Sequence, residues 1–315
     1  MNIASLATYI PPTRVHLEQI VAHRGASPSE ARTFGQLFGM REASTLADEE
    51  SAQGCFEALL RQLSASLEEA EKIDAVILVQ GLPARSLRQS VDLPSLQRRA
   101  GFIAADAPLL TLNQQNCATL FWGLRLAERL LAGGKHRCVA LLVGDTMADF
   151  DLAERYIPGC TMIGDAFAAA LLKPGSGQRR VSGIHCFHHA QFWQGLDGGR
   201  EDIKRFYQSH NSMVSQALAS YSEDLRSRAW LLPLNINRLS WQTWLRVQDN
   251  RDKSVATDLV SHCGHCFSAD PLLLLEHYAP QNTGRPALLL SVGLGGWVGC
   301  AAITSDALPE PVHAE

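Results

Sequence analysis

The 315-residue chain has no uninterrupted apolar run approaching the roughly 18 residues of a membrane span, so no segment reads as a transmembrane helix. It has no basic excess: the formal net charge is -4, which argues against nucleic acid as the main partner. It has no short tandem repeat and no low-complexity tract, which argues against a solenoid. Charged residues are sparse, at 19% against 46% hydrophobic, so a sizeable apolar core is expected and disorder is not. The opening MNIASLATYIPPTR lacks a basic leader and a long apolar stretch, and reads as a first strand, not a signal peptide. The eight cysteines are scattered, unlike the framework of a small secreted domain. A reducing cytoplasm fits better, with most thiols acting as small buried hydrophobes.

Strand-like and helix-like stretches alternate. Ala52, Cys55, Phe56, Leu59, Leu60, Leu63 and Leu67 lie on one face of a helix expected over 51–71. The runs Ala75–Val79, Leu109–Leu112 and Val139–Val143 read as short buried strands. Residues 118–132 return to helical spacing and stop at Gly133-Gly134. KPGSGQRR at 173–180 is the best internal boundary, placing one α/β unit at 1–175 and a second at 176–315. In the second unit the pattern predicts helices over 200–226, 237–248 and 268–279. It predicts strands at Trp230–Leu232, Ala287–Val292 and Val298–Thr304.

The segment TLNQQNCATLFWGLRLAERLLAGG carries the best nucleophile candidate. A strand, a tight turn and an amphipathic helix place Cys117 at a helix start. Unpaired backbone N–H groups and the positive end of the helix dipole there favour a reactive thiolate. Taken alone, the feature fits better a cysteine packed under the first helical turn, since buried cysteine is a common core residue.

The order of segments along nearly the whole chain resembles the ketosynthase III-like branch of the thiolase superfamily, the 3-oxoacyl-acyl-carrier-protein synthase III relatives. IASLATYIPPTRV and FGMREAST resemble its opening strand and entrance region. NQQNCATLFWGLRLAERLLAGG resembles its active-site cysteine helix. VGDTM at 143–147, IGDAFAAALL at 163–172 and SVGLGGWVGCAAI at 291–303 resemble its later strands and glycine-rich turn. The resemblance implies a thiolase-like α/β fold of two similar halves in α-β-α-β-α layers. It also implies a homodimer and an acyl-Cys117 intermediate formed from an acyl-carrier-protein or coenzyme A thioester. No cofactor or metal is implied. Within the turn, Gly295 is the favoured partner of the Cys117 N–H in an oxyanion hole.

Decarboxylating members carry a histidine in a Pro-His-x-x-Asn context and an asparagine in a Gly-Asn-Thr/Ser context. This chain reads LPLNINRLSW at 232–241. Pro233 and Asn237 match, but Leu234 stands at the histidine position and can neither donate a proton nor a hydrogen bond. SHCGHCFSADP at 261–271 places His265 where asparagine is expected, ahead of a helix that Ser268 is expected to cap. A shift of one or two residues would hand the role to Asn235 or His262. These departures argue against standard malonyl decarboxylation. They point to a Cys–His acyltransferase in secondary metabolism, with His265 as general base and Leu234 and Asn237 at the substrate. The alternative is a non-catalytic partner subunit of a related enzyme.

His262, Cys263, His265 and Cys266 invite a zinc reading, but four ligands within five residues close badly around one tetrahedral ion. Arg238, Arg246, Arg251 and Lys253 form a candidate basic face for an acidic carrier protein or coenzyme A phosphates, or a solvated helix face. Phe192 and Trp193 suit an acyl pocket and an ordinary core or dimer contact equally.

Overall fold

The computed structural model describes residues 1–175, 177, 179–248, 254–278 and 284–305. The first half runs β1 (Asn2–Tyr9), α1 (Leu17–His23), α2 (Pro28–Phe38), α3 (Ala52–Ser64), β2 (Ala75–Val79), β3 (Leu109–Leu112), α4 (Thr119–Ala132), β4 (Val139–Asp145) and β5 (Ala166–Lys173). The second runs β6 (Arg180–His188), α5 (Arg200–Leu218), β7 (Trp230–Pro233), α6 (Arg238–Val247), α7 (Asp270–Tyr278), β8 (Ala287–Gly293) and β9 (Trp297–Thr304).

The strands join in the order β7-β8-β9-β6-β1-β5-β4-β2-β3. Two half-sheets meet at its centre, where β1 touches β6 through the single pair Asn2–Arg180. Each half repeats one pattern. In the first, β1 and β5 are antiparallel, β5 and β4 antiparallel, and β4 and β2 parallel. In the second, β6 and β9, β9 and β8, and β8 and β7 pair in the same three senses. β3 lies parallel beside β2, and its counterpart is reduced to one parallel bridge between Leu231 and Val255.

The halves stack in five layers. α3 covers β1, β4 and β5, and α5 covers β8 and β9. Between the half-sheets lie α4, which touches strands of both halves, and α7, which touches β1, β7 and β8. Strands covered on both faces read as continuous apolar runs, which is why Ala75–Val79 is buried at every residue. The central cluster joins Leu120, Phe121 and Leu124 of α4 with Leu272, Leu273 and Leu274 of α7. Each such side chain contributes about 1.5–3 kcal/mol by leaving water.

The expected helix over 51–71 stops at Ser64, where the hydroxyls of Ser64 and Ser66 bond the carbonyls of Arg61 and Leu63. The expected helix over 200–226 is two helices. Ser222 caps the second, Glu223–Arg228, after Tyr221 has turned to donate to the Gly183 carbonyl.

Candidate active site

Cys117 sits in a 3-10 turn, Asn116–Ala118, that runs directly into α4. Asn116 has φ +50°, a left-handed conformation that asparagine tolerates better than most residues. Its side-chain oxygen accepts from the Cys117 thiol at 3.0 Å and from the Leu294 N–H at 3.2 Å. The glycine-rich turn is thereby pinned against the cysteine. Gly293 is the glycine in contact: a Cβ there would lie 3.2 Å from the Cys117 nitrogen and 2.6 Å from the Gln115 carbonyl. Gly295 lies further along the turn, where its carbonyl meets His188 Nε2 at 3.2 Å. Cys117 is 6% exposed, in an apolar cluster with Met147, Ile163 and Phe267.

The second half delivers His265 from the other side. Its N–H donates to the Met162 carbonyl at 2.8 Å, and its carbonyl accepts from Gly164 at 3.0 Å. Only glycine permits this approach, because a Cβ at Gly164 would collide with the Cys263 carbonyl. His265 Nε2 lies 3.2 Å from Cys117 Sγ, and Nδ1 lies 2.5 Å from Asp270 Oδ2. A carboxylate only accepts, so Nδ1 carries a proton and Nε2 faces the sulfur.

Asp270, fully buried at the first position of α7, is held at both oxygens. Oδ2 accepts the Asn235 N–H at 2.7 Å; Oδ1 accepts the Cys266 N–H at 2.9 Å and the Asn235 amide at 3.2 Å. Burial alone would lower the His265 pKa. Electrostatic interaction and hydrogen bonding with Cys117 and Asp270 outweigh it and push it up to about 10.

Two further carboxylates brace the chamber. Asp165 forms a buried double contact with Arg155 at 2.8 and 3.0 Å and accepts the Leu46 and Met147 N–H groups. Asp145 accepts the Gly81 and Leu82 N–H groups at 2.9 Å. Burial, partly offset by those bonds, pushes Asp145 up to about 7.

Of the residues singled out from sequence, the fold brings Cys117 and His265 together. Leu234 points instead into the apolar cluster between the second half-sheet and α5 and α6, with its carbonyl accepting from Trp241 Nε1. Asn237 caps α6 through the Ser240 N–H and donates to the Cys160 carbonyl. Ser268 caps nothing: α7 starts at Asp270, and the Ser268 hydroxyl donates to the Asn116 carbonyl. Arg238 and Arg246 are exposed on α6, while Arg251 and Lys253 lie outside the described residues. His262 faces Glu42 at 4.0 Å, turned away from the chain of Cys117, His265 and Asp270. Trp193 is 72% exposed and Phe192 belongs to the core around α5. Sequence reading missed Asp270 and Asn116. The signal for Asp270 was Asp-Pro at a helix start, five residues after the histidine.

No family model and no curated protein matches the sequence. Solved structures do match. A 3-oxoacyl-acyl-carrier-protein synthase from Burkholderia xenovorans superposes with a TM-score of 0.78 at 18% identity, over 98% of this chain and 94% of that one. A β-ketoacyl-acyl-carrier-protein synthase III from Thermus thermophilus gives 0.75 at 19% identity, over 98% and 100%. ChlB3, described as an acyltransferase, gives 0.76 at 16% identity, over 96% and 97%. The chain therefore has the thiolase-like fold of the ketosynthase III structures, with its two similar halves in α-β-α-β-α layers. Among the described residues no helix is long and apolar enough to cross a membrane.

Proposed function

We propose that this protein is an acyltransferase that carries its acyl group on Cys117. The observation that supports the reading is the unbroken chain from Cys117 through His265 to Asp270. The Cys117 thiolate attacks the carbonyl carbon of a carrier-protein or coenzyme A thioester. The C–S bond to the donor breaks, and the departing sulfur takes the proton from His265. His265 then removes a proton from an incoming hydroxyl, amine or carbon acid as that group attacks the acyl carbon, and Cys117 is released. Asp270 orients the imidazole and balances its charge. The Cys117 N–H, beside Gly293, is our choice for an oxyanion contact.

The reading departs from malonyl decarboxylation because the side chain at 234 is apolar and buried in the core. The apolar setting of Cys117 suits an acyl chain, and Arg238 and Arg246 suit an acidic carrier protein. A homodimer, a cytoplasmic location and a division into halves at 1–175 and 176–315 belong to the same proposal. Intact-mass measurement after exposure to a panel of acyl thioesters tests it. One acyl adduct is expected on wild type and none on Cys117→Ala; an adduct that persists in Cys117→Ala would falsify the assignment. Absence of any adduct on wild type favours a non-catalytic partner subunit. Asp270→Asn is expected to acylate about 10²–10⁴-fold more slowly.

A further inference from the structure

Asn116 links three parts of the site. Its side-chain oxygen lies 3.0 Å from Cys117 Sγ and accepts the Leu294 N–H at 3.2 Å. Its backbone carbonyl accepts the hydroxyl of Ser268, which lies between His265 and Asp270, at 3.1 Å. Thr119, in the first turn of α4, donates to the same carbonyl at 2.6 Å. These bonds hold the backbone at φ +50°, a conformation disfavoured for a residue with a Cβ. Strained backbone held in this way marks functional positions. The Leu294 N–H also decides which end of the amide faces the sulfur. A backbone N–H requires an acceptor, so the oxygen points toward Leu294 and Cys117.

The proton on the Cys117 sulfur therefore has two acceptors, Asn116 Oδ1 at 3.0 Å and His265 Nε2 at 3.2 Å. Directed at Asn116 it stays on a neutral thiol, because an amide oxygen accepts a hydrogen bond but does not take the proton. Directed at His265 it can cross, leaving thiolate beside imidazolium. No proton then remains between the sulfur and Oδ1, and the negative end of the amide dipole faces the anion. A hydrogen bond made only by the neutral form disfavours the charged one, so the amide opposes the imidazole. The Leu294 bond does not involve the sulfur proton, and it pins the glycine-rich turn in both states.

We propose that Asn116 restrains the nucleophile, holding resting Cys117 as a thiol against the pull of His265. The restraint matters for acyl transfer only on the reading of Cys117 as the acyl carrier. The other titratable groups around the sulfur do not reproduce this effect. Cys160 and Tyr207 interact electrostatically with Cys117, and burial pushes both up, Cys160 to about 11, so they stay protonated at neutral pH. Asp145 lies behind Gly81, Asp165 behind Met147, and Asp270 behind His265. None of them contacts the Asn116 side chain, and all are unchanged when Asn116 is replaced.

The rate of Cys117 alkylation by iodoacetamide against pH tests it, read on the full chain at the Cys117 peptide by mass spectrometry. Asn116→Gly removes the amide and accepts the left-handed backbone. Its alkylation midpoint is expected about half to one pH unit below that of wild type. Asn116→Asp keeps the shape but sets a carboxylate beside the sulfur, and its midpoint is expected above that of wild type. A midpoint in Asn116→Gly that does not fall, or one in folded Asn116→Asp that does not rise, overturns the proposal. A merely loosened turn would move both midpoints in one direction. Circular dichroism checks the fold, and Asn116→Gly decides alone if Asn116→Asp does not fold. Acylation by thioesters is measured separately on wild type. No adduct there, together with the expected shift in Asn116→Gly, rejects the acyltransferase reading and leaves the restraint on the thiol supported.

Discussion

His265 lies between Cys117 and Asp270, and that has a consequence for stability. Its pKa in the fold is about 10 against an ordinary 6.5. A group raised on folding contributes fully below its unfolded pKa and loses that contribution as pH rises through its folded pKa. The stability gap between wild type and His265→Gln is therefore expected to be largest near pH 6 and to narrow toward pH 10. Urea melts at several pH values measure it, and a gap that widens with pH would contradict the assignment. Cys117 was legible because a helix start and a family resemblance converged on it. His265 was legible as a departure from a motif. Asp270 was missed although Asp-Pro at a helix start is a local signal, because the Asn235 bonds that fix its carboxylate come from across the fold.

Among the elements, the short contacts between loops decide the site. The backbone of 162–164 runs beside that of 263–265 with no room for a side chain at Gly164. Gly164→Ala must push the His265 segment away, at a cost of about 1–3 kcal/mol. Slower Cys117 alkylation together with a lower melting temperature is the expected result; unchanged alkylation would mean that the His265 position does not depend on this contact. The strands β2 and β3 and the helices α4 and α7 were legible from apolar spacing, since burial on one or both faces writes itself into the sequence. The placement of Leu234 and Asn237 was not. One side chain points into the core and the other caps a helix, and a motif match does not distinguish those from contact with substrate.

At the scale of the whole molecule, each half leaves an inner apolar face that the other covers. α4 packs against β6 and β9 of the second half, and α7 against β1 of the first. Residues 1–175 expressed alone are therefore expected to remain without a cooperative thermal transition, and co-expression with 176–315 is expected to restore one. A sharp calorimetric transition for 1–175 alone would show that its inner face needs no cover. The alternation of elements made two α/β units legible. The single Asn2–Arg180 pairing that joins their sheets was not, because one backbone pair leaves no side-chain pattern.

The inner helices α4 and α7 both begin at the candidate site, one just after Cys117 and the other at Asp270. Each directs roughly half a positive charge inward from its first turn. The apolar cluster around Cys117 thus acquires an anion-favouring field from the backbone. The Cys117 sulfur at the start of one helix and the Asp270 carboxylate at the start of the other lie within reach of that field. In the proposed acyl transfer, charge that forms would be met by dipoles already in place.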